Sequence, residues 1–341
     1  MLRVSTLYAG SAAASAAYYA AYLTEAPGEV PGLWCGAQAD GLGLAGPVIV
    51  EALETLLSGC DPVSGAPLGR ELIDRFTADG AVIPAVSGFD ATFSAPKSLS
   101  VWWALTGDDR LLDAHDAAVA ATLDYLERFG STTRIRANGG RVHPESQGLS
   151  MATFRQTTSR ADDPQIHTHA VISAKVQTVD GRWLALDARF LKRHQRMLGG
   201  LYQSALRSGL TARYRVGWES IVNGQAELAG IPDELLARFS KRRAARRRWH
   251  RSRDGQNPPA RAARMVSGMS RDICPGCLEP RHRLLDRISL FSQDFGSATE
   301  RRASSLSRTA VRIVACGDQE RFVRPSRSAR GGLAQEVEAE V

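Results

Sequence analysis

The stretch from Phe154 to Lys175, FRQTTSRADDPQIHTHAVISAK, constrains this chain more than any other. It sets two histidines two residues apart in what reads as a β-strand. Side chains alternate across a strand, so His167 and His169 share one face. Val171 and Ser173 continue that face, while Ala170 and Ile172 start a core on the other. Two imidazoles on one rigid strand can offer two ligands to a single divalent ion. A half-buried pair of strand histidines with no metal has the same spacing, so the rest of the chain must decide.

With 341 residues, 43% of them hydrophobic, the chain can bury a real core in one large domain or two ordinary ones. No run of eighteen apolar residues exists, so no membrane span is expected. The opening MLRVSTLYAGSAAASAAYYAAYL is interrupted by Ser and Tyr and makes a poor signal peptide. Five scattered cysteines fit free thiols in a cytoplasmic protein. Cys274 and Cys277 have metal-like spacing, but without a second pair they are half a zinc site, and His282 and Cys316 are weak completions.

Turn and cap residues divide the first 240 positions into ordinary elements. Ser11 to Leu23 is an Ala-rich helix carrying Tyr18, Tyr19 and Tyr22. A second helix follows Pro47 and is closed by Gly59. Gly88 to Ala95 alternates as a strand, and Pro96 starts a short helix through Trp103. Asp108 or Asp109 caps a long helix that stops at Gly130. Thr132 to Ala137, Leu149 to Thr157 and Ile166 to Val176 read as strands, with turns at Asn138 and Asp180. Asp187 caps a further helix from Ala188 to about Leu206. This order predicts an α+β fold, a mostly antiparallel sheet with helices packed on one side.

Charge breaks at the same place. Residues 1–240 hold 21 Lys+Arg and 25 Asp+Glu, a balance of −4, whereas residues 241–341 hold 22 and 11, a balance of +11. The run from Lys241 to Arg253 dominates the second set. Beyond 240 the helical and strand periods vanish, so 241–341 is expected to be an irregular, disordered or aberrant basic tail. A shift of reading frame near Ser240 would produce the same abrupt change.

Three segments together resemble the N-terminal relaxase domain of the TrwC/TraI-type (MobF) conjugative relaxases. They are the adjacent Tyr18 and Tyr19, the segment GFDATFSAPKSLS from Gly88 to Ser100, and TSRADDPQIHTH from Thr158 to His169. The resemblance covers residues 1 to about 240. It implies a palm-like relaxase fold of the His-hydrophobic-His endonuclease type. It also implies a nuclease that cuts one strand of plasmid DNA at a transfer origin and stays attached to the 5′ end.

The residues suit that chemistry. A phenol, with an ordinary pKa of about 10, can attack phosphorus if a nearby cation stabilises its phenolate. A divalent ion, Mg²⁺ or Mn²⁺, on the histidines would act as Lewis acid on the scissile phosphate. The resemblance makes Tyr18 the nucleophile and gives Tyr19 a second transfer or a packing role; Tyr22 is better read as packing. It assigns Asp90 to support a ligand imidazole and to take the tyrosine proton; a strand-end Asp capping the next helix is the plainer alternative. Lys97, Arg155 and Arg160 are the candidate phosphate contacts. Trp102, Trp103 and Trp183 are candidates for base stacking, although Trp at such positions is more often core. Lys192, Arg193 and Arg196 form a basic helix face that is either a DNA contact or simply solvated.

One departure matters. The family places a third histidine eleven residues before the pair, and here that position is Gln156. An amide oxygen is a poorer ligand than imidazole but can hold hard ions, so the expected set is His167, His169 and Gln156 with weakened binding. His143 is a possible substitute. Full-length relaxases of this type continue into a helicase. None of the four lysines follows a glycine, so no phosphate loop and no helicase domain are expected here, and a separate helicase or coupling protein becomes a candidate partner. The alternatives are a catalytically impaired remnant that binds single-stranded or hairpin DNA, and a rolling-circle replication initiator. The last is disfavoured because its tyrosine usually follows the histidines, whereas Tyr18 precedes them by about 150 residues.

Overall fold

A computed structural model describes residues 1–24, 30–137, 140–159, 161 and 163–241; at 20–24, 136, 137, 140 and 141 it describes the backbone alone. The tail, Tyr22's side chain, Arg160 and the Cys274/Cys277 pair therefore lie outside what is described. The chain opens with β1 (Leu2–Tyr8), a 3₁₀ turn (Ala9–Ser11) and α1 (Ala12–Thr24), then β2 (Leu33–Cys35), α2 (Ala37–Gly41) and α3 (Val50–Leu57). A small ribbon, β3 (Arg75–Phe76) and β4 (Val82–Ile83), leads into β5 (Val86–Ser94), α4 (Lys97–Thr106) and α5 (Arg110–Gly130). The hairpin of β6 (Ile135–Ala137) and β7 (Gly140–Val142) precedes β8 (Met151–Thr158), β9 (Pro164–Ser173), β10 (Lys175–Gln177) and β11 (Trp183–Ala185). The helices α6 (Arg189–Arg193), α7 (Gln195–Tyr214) and α8 (Asp233–Arg238) complete the described chain.

Strands β1, β5, β9, β8 and β2 form one sheet in that order, every neighbouring pair antiparallel. The α+β class read from the sequence holds, with one correction. Helices cover both faces, not one. Behind the sheet, Phe89, Ala91 and Phe93 of β5 and Ile166, Ala170 and Ile172 of β9 pack with Leu111, Val119 and Leu123 of α5 and Leu198, Tyr202 and Leu206 of α7. In front, Ala152, Phe154 and Val171 pack with Ala12, Ala16 and Tyr19 of α1 and Leu53, Leu56 and Leu57 of α3. Central strands buried on both faces lose the apolar/polar alternation from which a single covered face is inferred.

Element limits differ where tertiary contacts intervene. The strand expected to run to Val176 breaks at Ala174, and its continuation pairs instead with β11. The helix expected from Ala188 divides at His194, where φ is −98° and ψ 12°, and then runs on to Tyr214. Gly199 inside α7 explains how that helix lies on β1. A Cβ there would stand 3.2 Å from the Leu2 Cβ, so the bare backbone permits the close approach. Asp109 stands at the N-cap of the long helix without a side-chain capping bond, while Asp108 just before it accepts from the Arg110 amide on its Oδ1 at 3.1 Å.

Candidate active site

The pleat assembles the site on the front of the sheet. In an antiparallel pair, residues directly opposite each other project to the same side. His167 stands opposite Ser94 of β5 and Gln156 of β8, and His169 stands opposite Thr92 and Phe154. Asp90, opposite Val171, shares that face one diagonal step from His169. Asp90, Thr92, Ser94, Gln156, His167 and His169 thus form one polar patch across three strands. The register shifts just beyond Gln156, and a bulge at the rim of a site is a common way to end pairing there.

Hydrogen bonds fix the two imidazoles. His169 Nδ1 lies 3.0 Å and 2.9 Å from the two oxygens of Asp90, with Thr92 Oγ1 at 3.4 Å. His167 Nδ1 lies 2.8 Å from the Gln165 carbonyl. Carboxylate and carbonyl oxygens only accept, so each Nδ1 is the donor, which in the neutral ring leaves the lone pair on Nε2. The rings stand 5.2 Å apart, centroid to centroid. Asp90 and His169 are each 8% exposed, so the carboxylate that orients the ring is held in a low-dielectric setting.

Helix α1 brings the tyrosines over this patch. Ala12 and Ala16 face the sheet and are small enough to let the helix settle on it. Tyr19 is buried, stacked on Phe154 at 5.1 Å and 5.5 Å from His169. Burial, and then the Asp90 carboxylate to which its hydroxyl is hydrogen-bonded, push its pKa far above the ordinary phenol value. Tyr18 is half-buried and meets His169 edge-on at 6.2 Å. The two neighbours are therefore unlike: the Tyr19 phenolate is disfavoured by burial and by Asp90, whereas Tyr18 is half-buried beside His169.

Behind the sheet a second polar group supports the first. Thr168 lies between the two histidines in sequence and points to the opposite face, where its hydroxyl is 2.8 Å from His115 Nε2. The other nitrogen of His115 is 2.7 Å from the Tyr202 hydroxyl. His115 is fully buried, and desolvation first, then the charges of His167 and Arg155, lower its pKa to about 3. Sequence reasoning missed this network. Thr168 was visible as the residue between two histidines, but nothing in the spacing pointed to partners on α5 and α7.

Among the described residues no set of three His, Cys, Asp or Glu side chains is placed to hold a metal ion. A third donor would have to be Gln156. It is 2% exposed, and its Nε2 has no hydrogen-bond partner. As placed, that end is a donor seeking an acceptor; turned half about its last bond, the amide would present Oε1 there instead. In that orientation the residues present would offer a divalent cation two nitrogen donors and one amide oxygen.

The remaining sequence-predicted residues lie elsewhere or serve the frame. Lys97 Nζ donates to the Pro164 carbonyl at 2.7 Å, pinning the start of the histidine strand. Arg155 projects to the back of the sheet, because it stands opposite Thr168, and pairs with Asp116 at 2.6 Å. That placement separates it from the histidine face. Trp102 and Trp103 are core residues at 6% and 2% exposure and cannot stack on bases, while Trp183 packs against the front core. His143 is exposed and bonded to the Thr133 carbonyl, outside the histidine row. Lys192, Arg193 and Arg196 are exposed.

The family model described as TrwC relaxase matches residues 3–273. The multifunctional conjugation protein TraI of Escherichia coli is 36% identical over 220 residues, which is 61% of this chain and 12% of that protein. The matched region is thus about an eighth of that relative's length. The conjugative relaxase TrwC in complex with oriT DNA, in a metal-bound structure, superposes with a TM-score of 0.73 at 28% identity, covering 87% of this chain and 99% of that one. TrwC with a 27-mer comprising the recognition hairpin and the cleavage site gives a TM-score of 0.71 at 29% identity with the same coverage.

Proposed function

The chain belongs to the TrwC relaxase family, and on that premise we propose that it is a strand-specific DNA endonuclease and transesterase acting at a transfer origin. One observation carries the reading: Tyr18 stands edge-on to His169, whose Nδ1 is held by Asp90 beside His167. The TrwC structures hold oriT DNA, and their metal-bound form supports a divalent ion here.

The Tyr18 hydroxyl attacks the scissile phosphorus. An O–P bond forms, the P–O3′ bond breaks, and the phenol proton passes through Asp90 to the departing 3′ oxygen. The product is a 5′-phosphotyrosine ester and a free 3′ hydroxyl. The ester resembles the bond broken, so the step can run backwards and rejoin strands without ATP. A divalent cation held by His167, His169 and Gln156 would supply Lewis acidity at the phosphate. Asp90 fixes the His169 ring so that its Nε2 faces the site. Tyr19 acts as a buried wall that orients Tyr18 and His169.

We assign nicking to residues 1–240, because the sheet, both helical layers and the polar patch lie there, although the family match extends to residue 273. Arg160, and Lys97 in addition to its bond to the Pro164 carbonyl, are kept as phosphate contacts, and single-stranded or hairpin DNA at the origin is the partner. A separate helicase or coupling protein would supply unwinding. No helix among the described residues is long and apolar enough to cross a membrane, and the free thiols of Cys35 and Cys60 suit the cytoplasm.

The test is a covalent-adduct assay on the full chain. It uses pooled single-stranded oligonucleotides from the flanking mobile element, with and without Mn²⁺, on a denaturing gel. A metal-dependent shifted band that disappears in Tyr18→Phe is expected. A band that persists in that variant would reject Tyr18 as nucleophile, and no band with native-gel binding intact would reject nicking.

A further inference from the structure

We infer that Gln156 is a metal ligand that sets ion preference, making this site favour hard divalent ions relative to the same site with an imidazole at that position. The inference rests on the proposed function, since it deepens the metal site named there.

Three observations meet at this residue. Gln156 is directly opposite His167 in the β8–β9 ladder, so its side chain leaves the sheet on the histidine face. It is 2% exposed, so water does not solvate its amide. Its Nε2 has no hydrogen-bond partner, although a buried amide nitrogen left unpaired costs about 1–3 kcal/mol. An amide presents oxygen and nitrogen in nearly the same shape, and a half-turn about its last bond exchanges them. Turned that way, Oε1 occupies the unpartnered position in the row of the two imidazoles. A cation there would satisfy it.

The chemistry then follows from donor type. Amide and imidazole are both neutral, so the exchange leaves the charge of the site unchanged. What changes is softness. Imidazole suits Zn²⁺, Cu²⁺ and Ni²⁺, whereas carbonyl-type oxygen suits Mg²⁺ and Mn²⁺. Replacing one nitrogen of three by oxygen weakens the borderline-soft ions most. The order of absolute affinity can still follow the general series for divalent ions. The ratio between Ni²⁺ and Mn²⁺ is what Gln156 compresses.

Calorimetric titration of the full chain with Mn²⁺ and with Ni²⁺, without DNA, reads this independently of nicking. Gln156→His is expected to raise the Ni²⁺ to Mn²⁺ affinity ratio about tenfold. Gln156→Ala is expected to weaken Mn²⁺ about tenfold. Gln156→Glu retains length, supplies a hard anionic oxygen and should tighten Mn²⁺ more than Ni²⁺. Thermal melting confirms that each variant is folded, and the Glu variant serves if either of the others is not. Unchanged Mn²⁺ affinity in a folded Gln156→Ala, or an unchanged ratio in Gln156→His, overturns the inference. Loss of ion binding in His167→Ala and His169→Ala is expected. Binding that survives both would instead overturn the metal site itself.

Discussion

Asp90 and His169 are joined through both carboxylate oxygens, at 3.0 Å and 2.9 Å from the same ring nitrogen, on adjacent strands of one sheet. Because β5 and β9 are locked in register, the carboxylate cannot drift from the ring without disturbing the sheet. The pair fixes the tautomer and the ring plane.

Asp90→Asn is nearly isosteric and can still accept from Nδ1, but it removes the charge. Mn²⁺ affinity is expected to fall about 10–100-fold by calorimetry, with a loss of adduct formation at least as large. An Asn variant that binds Mn²⁺ normally but forms no adduct would confine Asp90 to proton transfer.

The neighbouring tyrosines should separate cleanly. Tyr19 is buried against Phe154, and its phenolate is disfavoured by burial and by Asp90. Tyr18→Phe is therefore expected to abolish the covalent adduct, by at least about a thousandfold in rate, since it removes the nucleophile. Tyr19→Phe should retain measurable adduct formation. Equal loss in both, at unchanged DNA binding, would show that the two phenols exchange roles.

Much of this site could be read from the chain because its chemistry is local. His167 and His169 are two apart on one strand, and Tyr18 and Tyr19 are adjacent on one helix, so periodicity places them without knowledge of the fold. Asp90 and Gln156 needed the family resemblance, since their approach to the histidines depends on strand register across β5, β9 and β8. The two-sided burial of the sheet was not legible. Asp90, Thr92 and Ser94 line the front of β5, and the helices α1 and α3 that cover that side of the sheet come from parts of the chain whose packing on it no local pattern announces. The break at Ala174 was hidden for a similar reason: β10 leaves the main sheet to pair with a strand beyond Asp180.

Gly88 belongs to the packing that sets this register. A Cβ at that position would lie 2.6 Å from the Ile172 carbonyl oxygen and 3.1 Å from Leu57 Cδ2. The first contact is with the backbone of the paired strand and cannot be relieved by a rotamer change. Gly88→Ala is expected to lower stability by about 1–3 kcal/mol in urea unfolding. A neutral effect would mean that β5 and β9 can separate locally at that point.

His115 gives the fold a pH dependence whose sign can be worked out. Folded, it is neutral down to about pH 3; unfolded, it binds a proton from about 6.5 downward. The unfolded state therefore carries more protons between those values, and stability falls as pH drops through that window. The limiting slope is about 1.4 kcal/mol per pH unit. His115→Leu removes this slope but strands the hydroxyls of Thr168 and Tyr202, which cost about 1–3 kcal/mol when buried without a partner. The variant should thus be clearly less stable than the parent at pH 7.5, with the gap closing steadily towards pH 4. Urea midpoints measured at intervals across that range provide the check. Parallel curves for parent and variant would mean that His115 takes up its proton in the folded state at an ordinary pH, and that the Thr168 hydroxyl is held by something other than a neutral imidazole.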